Sequence, residues 1–364
     1  GFYDEDPATG KIVRTDRFEL DVDGKSTVVA AAAGKKRPAF ILVNDDDLTY
    51  TKLRFDADSL SFALANLQHF DDALARAVVW LSLWDMTRDG DLAAEKFIDT
   101  TLALLATETE STTFRYALSC MSTTAWHYTA PDRRADVVKH IAKELWKLVI
   151  AAPGGSDQQF QLVTAYLGYG EEGDAEFAEH AQGLFDGSLI VAGLEIDNNF
   201  TWTIINALSS VKLIDQAGID AQLAKRDTTE NREFALGAHA VRGDAAAKEW
   251  AWNEALNNAD LTNMQLEAVA RGFGATPRPD LAEPYAAKYY DVVDWVWKNK
   301  SFHMAEALLE GLYPYYADPA TLVELGHRWL ADHEDADNAL KRIVRGNVES
   351  SQRTLKVRDF NAAL

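Results

Sequence analysis

The chain has 364 residues, 47% of them hydrophobic and ten of them Trp, and carries a formal charge of −21 from 36 Lys and Arg against 57 Asp and Glu. This composition supports a packed core of about two domains and excludes wholesale disorder. The charge excludes nucleic acid or an anionic membrane as partner, because either needs a basic stripe to displace counterions. No apolar run approaches the roughly 20 residues of a membrane span, and the expectation is a soluble, cytoplasmic protein.

Residues 11 to 56 have a hydrophobic period near two. "KIVRTDRFELDV" alternates, Asp23-Gly24 is a strong hairpin signal, and "KSTVVAAA", "AFILV" and "LTYTKLRF" follow. About four strands are expected. So small a sheet with nothing to pack on is marginal, and it reads as part of a β-sandwich whose other strands precede Gly1. Between the last two patterns stand Asn44, Asp45, Asp46 and Asp47. Contiguous acids lack the alternate spacing, the Gly and the final Glu of a calcium loop. They are what a tight turn favours, so a turn is expected.

Beyond Asp56 the period becomes helical. Asp58 and Ser59 are expected to cap a first helix through Leu67, and Asp71 and Asp72 to start "ALARAVVWLSLWDMTR", with Gly90 just past its end. The buried stripe of that second helix is expected to be Leu74, Ala77, Val78, Leu81 and Trp84. Pro131-Asp132 opens a helix with Val138, Ile141, Leu145 and Leu148 facing inward and Lys139, Lys143 and Lys147 on a solvated face. Ser156 caps the next one. The rhythm runs on to a charged stretch from Asp335 to Leu364. The fold class expected is mostly α: an irregular α-solenoid or superhelix of about sixteen short helices, stacked in the manner of HEAT or armadillo repeats and preceded by the sandwich remnant. The domains are then 1–56, partial β-sandwich, and 57–364, helical. The concave face of such a stack suits a peptide or a partner domain.

The patterns that could carry chemistry are incomplete. Among eight histidines, the nearest approach to a zincin pair is "HEDAD", His333 to Asp337, which lacks the second His and falls at a helix junction. Its acids are expected to serve the amino end of the following helix. Cys120, the single cysteine, reads as a core residue, and His127 stands seven residues further on. "GYGEEG" (Gly168 to Gly173) and "GFG" (Gly272 to Gly274) end helices and so fail as phosphate loops. "AWHYTA" (Ala125 to Ala130) is expected to be a packed helix end. No catalytic residue and no metal ligand is assigned, and the substrate-binding residues are left unassigned.

The order of the pieces is specific. "RFELDVDGKSTVV" and "LVNDDDLTYTKLRFD" lead into "ARAVVWLSLWDMTRDG", and the chain ends with "RIVRGNVESSQRTLKVRDF". Over essentially its whole length this resembles the C-terminal half of the M1 family of zinc aminopeptidases, in particular the aminopeptidase N type of actinobacteria. The resemblance implies that residues 1–56 end the family's small β-sandwich and that 57–364 form its helical C-terminal domain. It implies that this domain caps a catalytic domain and controls peptide access to the zinc. The family's His-Glu-x-x-His and Gly-x-Met-Glu-Asn motifs are absent here, so zinc belongs to the parent enzyme and no cofactor to this fragment, which alone is expected to be inactive. Its implied partners are the N-terminal and catalytic domains of the same protein and peptide substrates. Two rivals stay open: a stand-alone α-solenoid scaffold binding a peptide or protein, and a small independent hydrolase using "HEDAD" or scattered carboxylates.

Overall fold

The computed structural model describes residues 1–364. The chain divides into two compact units, residues 1–137 with 357–364, and residues 138–356.

The first unit begins with three strands. β1 (Phe2–Glu5) lies between β2 (Ile12–Asp16) and β3 (Phe40–Ile41) and is antiparallel to both. Tyr3, Ile12, Phe40 and Phe70 are buried beneath this sheet, with the Phe40 and Phe70 rings edge-on at 5.2 Å. The sheet therefore has three strands, where the alternation predicts about four. After a turn at Gly24 and Lys25, residues 26–29 are irregular and Ala30–Ala32 form a short 3-10 segment, and 48–55 pair with no strand. A strand's backbone groups need a neighbouring strand, and none is offered to these segments. The acidic stretch is the turn its sequence implies. Asn44, Asp46 and Asp47 all adopt positive φ, and the Asn44 side chain closes the loop through both Thr49 backbone groups. Arg14 bridges Asp45 (2.9 Å) and Asp46 (2.8 Å), while Tyr3 donates to Asp45.

Helix α1 (Ala57–Asn66) is capped by Asp56, whose carboxylate accepts the N–H groups of Asp58 and Ser59. The cap thus lies two residues before the predicted one, because those two residues donate backbone N–H groups to it. Asp72 caps α2 (Ala73–Arg88) as expected, but the stripe is corrected. Leu74 and Leu81 are 47% and 41% exposed, whereas Val79, Trp80 and Leu83 are buried with Val78 and Trp84. α2 is apolar nearly all round, so periodicity cannot choose its inner face. α3 (Ala94–Leu105) and α4 (Ser111–Thr123) follow, and Thr124–Tyr128 widen into one π-helical turn. The carbonyls this turn frees are taken up by the chain's last residues. Arg358 donates to His127 O, and Asn361 donates to Tyr128 O while accepting from Ala94 N. Arg76 forks onto the buried Glu108 at 2.8 and 3.0 Å.

The second unit is helical throughout. α5 (Arg134–Ala151) buries Val138, Ile141 and Leu145 and exposes its three lysines, as predicted, but Val149 is buried where Leu148, left half-buried, is expected. It is followed by α6 (Asp157–Leu167), α7 (Ala175–Asp186), α8 (Asn198–Ser210), α9 (Gln216–Lys225), α10 (Thr229–Ala240), α11 (Ala245–Asn257) and α12 (Asn263–Gly274). The single turn α13 (Pro279–Ala282), α14 (Ala286–Asn299), α15 (Phe302–Gly311), α16 (Pro319–Asp332) and the long α17 (Asn338–Ala362) complete it. Acid or hydroxyl caps at Ser156, Asp174, Asp197, Asp215, Thr228 and Asp244 start successive helices. Helices pack on their sequence neighbours and on the helix two places along, α6 on α8, α8 on α10, α10 on α12, and α14 on α16. That is the superhelical stacking the sequence implies. Toward the end of the unit, Tyr289 donates to Leu309 O, Asn347 donates to the Tyr289 hydroxyl, and Tyr315 donates to Asn347.

Candidate functional site: an open groove across four stacked helices

Helices α10 and α12 of the second unit meet through small residues. A side chain added at Gly272 of α12 would come within 2.7 Å of both Ala240 Cβ and Gly237 O of α10. Only glycine permits that approach. Beside the contact the helices leave an open hollow of about 250 Å³, with Glu233 and Gly237 from α10, Met264 and Arg271 from α12, and Val241 and Ala275 at its base. A second hollow of about 210 Å³ adjoins it, with Thr164 and Leu167 of α6 and Thr203 and Ala207 of α8 on its walls. Asn206, Val241 and Ala275 line both hollows. The two are therefore lobes of one groove that crosses α6, α8, α10 and α12.

The groove has one notable polar feature. The side-chain carbonyl of Asn206 is buried and has no hydrogen-bond partner. A buried amide oxygen left unpaired costs free energy that an incoming N–H would recover. Glu233 and Arg271 place one charge of each sign on the walls. The groove thus offers a hydrogen-bond acceptor at Asn206 between walls that carry one charge of each sign. Its residues, many of them small, are drawn from four helices, and no local motif marks them. The only advance sign is the pair of glycine clusters at 168–173 and 272–274, of which Gly168, Gly170 and Gly272 do line the groove.

The residues singled out in the sequence lie apart from it. Cys120 is buried, and burial pushes its thiol up to about 12, so it is not a thiolate at neutral pH. His127 keeps a partly exposed edge, yet desolvation, with Arg358 and Arg134 nearby, pushes it down to about 3. Ala125, Trp126 and Tyr128 around it are buried, which makes "AWHYTA" the packed end expected. In "HEDAD", His333 turns to Asp294 (2.8 Å) and lies stacked on Trp329, while Asp337 accepts the N–H of Ala339 at the start of α17. The segment serves two helix ends, as its position implies. His180 and His239 lie flat on Trp146 and Trp250, and burial lowers both. No three His, Cys, Asp or Glu side chains gather as a metal centre would require.

Sequence reasoning missed Lys248. It is 2% exposed, and burial pulls its pKa down to about 7 against the influence of Asp244. Such a shift can mark a catalytic lysine, but the adjoining cavity is about 10 Å³, room for no more than a water. Its ammonium is also fully engaged by helix-end oxygens.

Successive helices stacked in this way around an open groove define an α-helical superhelical domain. The chain belongs to the ERAP1-like C-terminal domain family, whose model matches residues 40–353. Over 363 residues it is 32% identical to the aminopeptidase N of Streptomyces lividans. That match takes in 100% of this chain but only 42% of the relative, in its C-terminal part.

Proposed function

We propose that this chain is the non-catalytic, C-terminal part of a zinc-dependent aminopeptidase N of the M1 family, a cytoplasmic enzyme. In this reading it caps the catalytic domain, and its groove carries the distal part of peptides whose amino-terminal residue is removed elsewhere in the protein. The observation that carries the reading is the match itself, which takes in essentially the whole of this chain and less than half of an aminopeptidase N. Two features of the molecule support it. Large apolar side chains at Val22, Val28, Leu48 and Tyr50 stand in solvent within one short region, as residues do that another domain covers. The groove is open, with an unpaired acceptor, as a passing peptide backbone requires.

The zinc and the water it activates would belong to the preceding catalytic domain. Enclosing that site would exclude bulk water and folded proteins and strengthen its electrostatics. The test has two parts. Reading the source gene upstream of the codon for Gly1 is expected to reveal, in frame, His-Glu-x-x-His and Gly-x-Met-Glu-Asn. The purified 364-residue chain is expected not to hydrolyse an aminoacyl anilide. A start codon directly before Gly1 would favour a stand-alone scaffold, and zinc-dependent turnover by the chain alone would sink the proposal.

A further inference from the structure

Lys248 is the only lysine among the fully buried residues. It lies on α11, yet its ammonium reaches the ends of two other helices. Nζ donates to Ala240 O at 2.7 Å, to Gly272 O and Phe273 O at 3.2 Å each, and to Thr276 Oγ1 at 2.5 Å. Thr276 in turn donates its hydroxyl proton to Val241 O at 2.7 Å. Ala240 is the last residue of α10, and Gly272 and Phe273 belong to the last turn of α12. The final carbonyls of a helix have no partner within it and form its negative pole. One side chain therefore answers two such poles at once, most strongly in its protonated form.

The residues it gathers are those that shape the groove. Gly272 lines one lobe, Val241 and Ala275 line both, and Thr276 continues directly from Ala275. We propose that Lys248 is a positioning residue for the groove: by drawing together the carboxyl ends of α10 and α12, its ammonium fixes the spacing of Val241, Gly272 and Ala275. A hydrophobic isostere would leave four oxygens, those of Ala240, Gly272, Phe273 and Thr276, without this donor, while Val241 O keeps the Thr276 hydroxyl. The spacing between the two helix ends would then relax. The role assigned in peptide binding rests on the groove reading above, whereas the latch itself does not.

The experiment uses the full 364-residue chain, with Lys248→Met and, as a milder variant that keeps the ammonium, Thr276→Val. Amide hydrogen exchange is mapped by mass spectrometry at a temperature where circular dichroism shows each variant folded. In Lys248→Met, amides of residues 241–244 and 273–278 are expected to exchange at least tenfold faster, and those of α14 and α16 to stay within twofold. Thr276→Val is expected to give the same local pattern at smaller size, and it decides the matter if Lys248→Met does not fold. A fluorescein-labelled decapeptide with a free amino terminus is expected to bind Lys248→Met at least fivefold more weakly than the unaltered chain. Unchanged exchange in both segments, or a uniform rise through the unit, would overturn the latch. Faster local exchange with unchanged peptide affinity would overturn the positioning role. If the unaltered chain itself binds no peptide, the groove reading fails, and the exchange map still decides the latch.

Discussion

Between α10 and α12 the backbones approach so closely that Gly272 has no room for a methyl group. Along residues 17–55, by contrast, Val22 and Val28 are 83% and 85% exposed and Tyr50 is wholly in solvent. The two regions are comparably apolar in sequence. What separates them is where their backbone hydrogen bonds go. A helix closes its own ladder and needs only a surface to pack on, so a series of helices builds its core from neighbours along the chain. A strand must borrow its ladder from another strand, and apolar side chains on an unpaired strand have no shared face to bury. The contrast teaches that the helices of the second unit bury their apolar residues against one another, while residues 17–55 leave Val22, Val28 and Tyr50 in solvent.

The comparison breaks first if the helix contact is less tight than it looks. Gly272→Val places branched atoms against Ala240 and the Gly237 carbonyl, with backbone on one side and a short side chain on the other. Neither can swing away. The expected loss is about 3 kcal/mol, at the upper end of overpacking costs, read from the urea midpoint at constant slope. A loss below about 0.5 kcal/mol would mean that α10 and α12 slide past one another freely, and the packed character of the unit would be in question.

Acid sharpens the same contrast within the first unit. His127 is held near 3 in the fold against an ordinary value of 6.5. In the unfolded chain the ring takes a proton as pH falls through about 6.5, whereas the native ring stays neutral down to about 3. Proton uptake therefore favours unfolding across that window. The stabilisation is complete above pH 6.5 and is lost progressively toward pH 3. Allowing for the partly exposed edge of the residue, the loss by pH 4 is roughly 2 kcal/mol. Urea midpoints between pH 7 and pH 4 are expected to fall more steeply for the unaltered chain than for His127→Gln. Parallel curves would show that the ring is solvated. Burial lowers His180 and His239 in the same sense, and the difference between the two curves removes their contribution.

Much of the helical part was legible because its signals are local. Asp72, Ser156 and Asp337 cap helices where the pattern places them. The face of Val138, Ile141 and Leu145 is buried as the period requires. The failures have physical causes too. α2 carries apolar residues on all sides, so its true inner face, with Val79 and Leu83, could not be told from the stripe of Leu74 and Leu81. The alternating segments 25–32 and 48–55 carry strand propensity, but pairing depends on a partner that propensity does not supply. The groove was the least legible feature. It is assembled from Asn206, Val241, Gly272 and Ala275 on elements some thirty residues apart or more, and small residues announce a close approach only once the helices are stacked. Lys248 was hidden for a similar reason, since its acceptors are backbone carbonyls, which every residue has.

The smallest effect tests the other half of the contrast. If Val28 and Tyr50 await a covering domain, they contribute nothing while they stand in solvent. Val28→Ser with Tyr50→Ser is then expected to change the stability of the 364-residue chain by less than about 0.5 kcal/mol, as exposed substitutions do. The same pair in the longer protein proposed here removes apolar area from a buried contact, at about 25 cal/mol for each Å² lost. Its thermal midpoint should fall by several degrees. A loss of 2 kcal/mol or more in the isolated chain would mean that these residues already pack within it. The region would then be a finished part of this molecule, and the surface for a partner would have to be sought elsewhere.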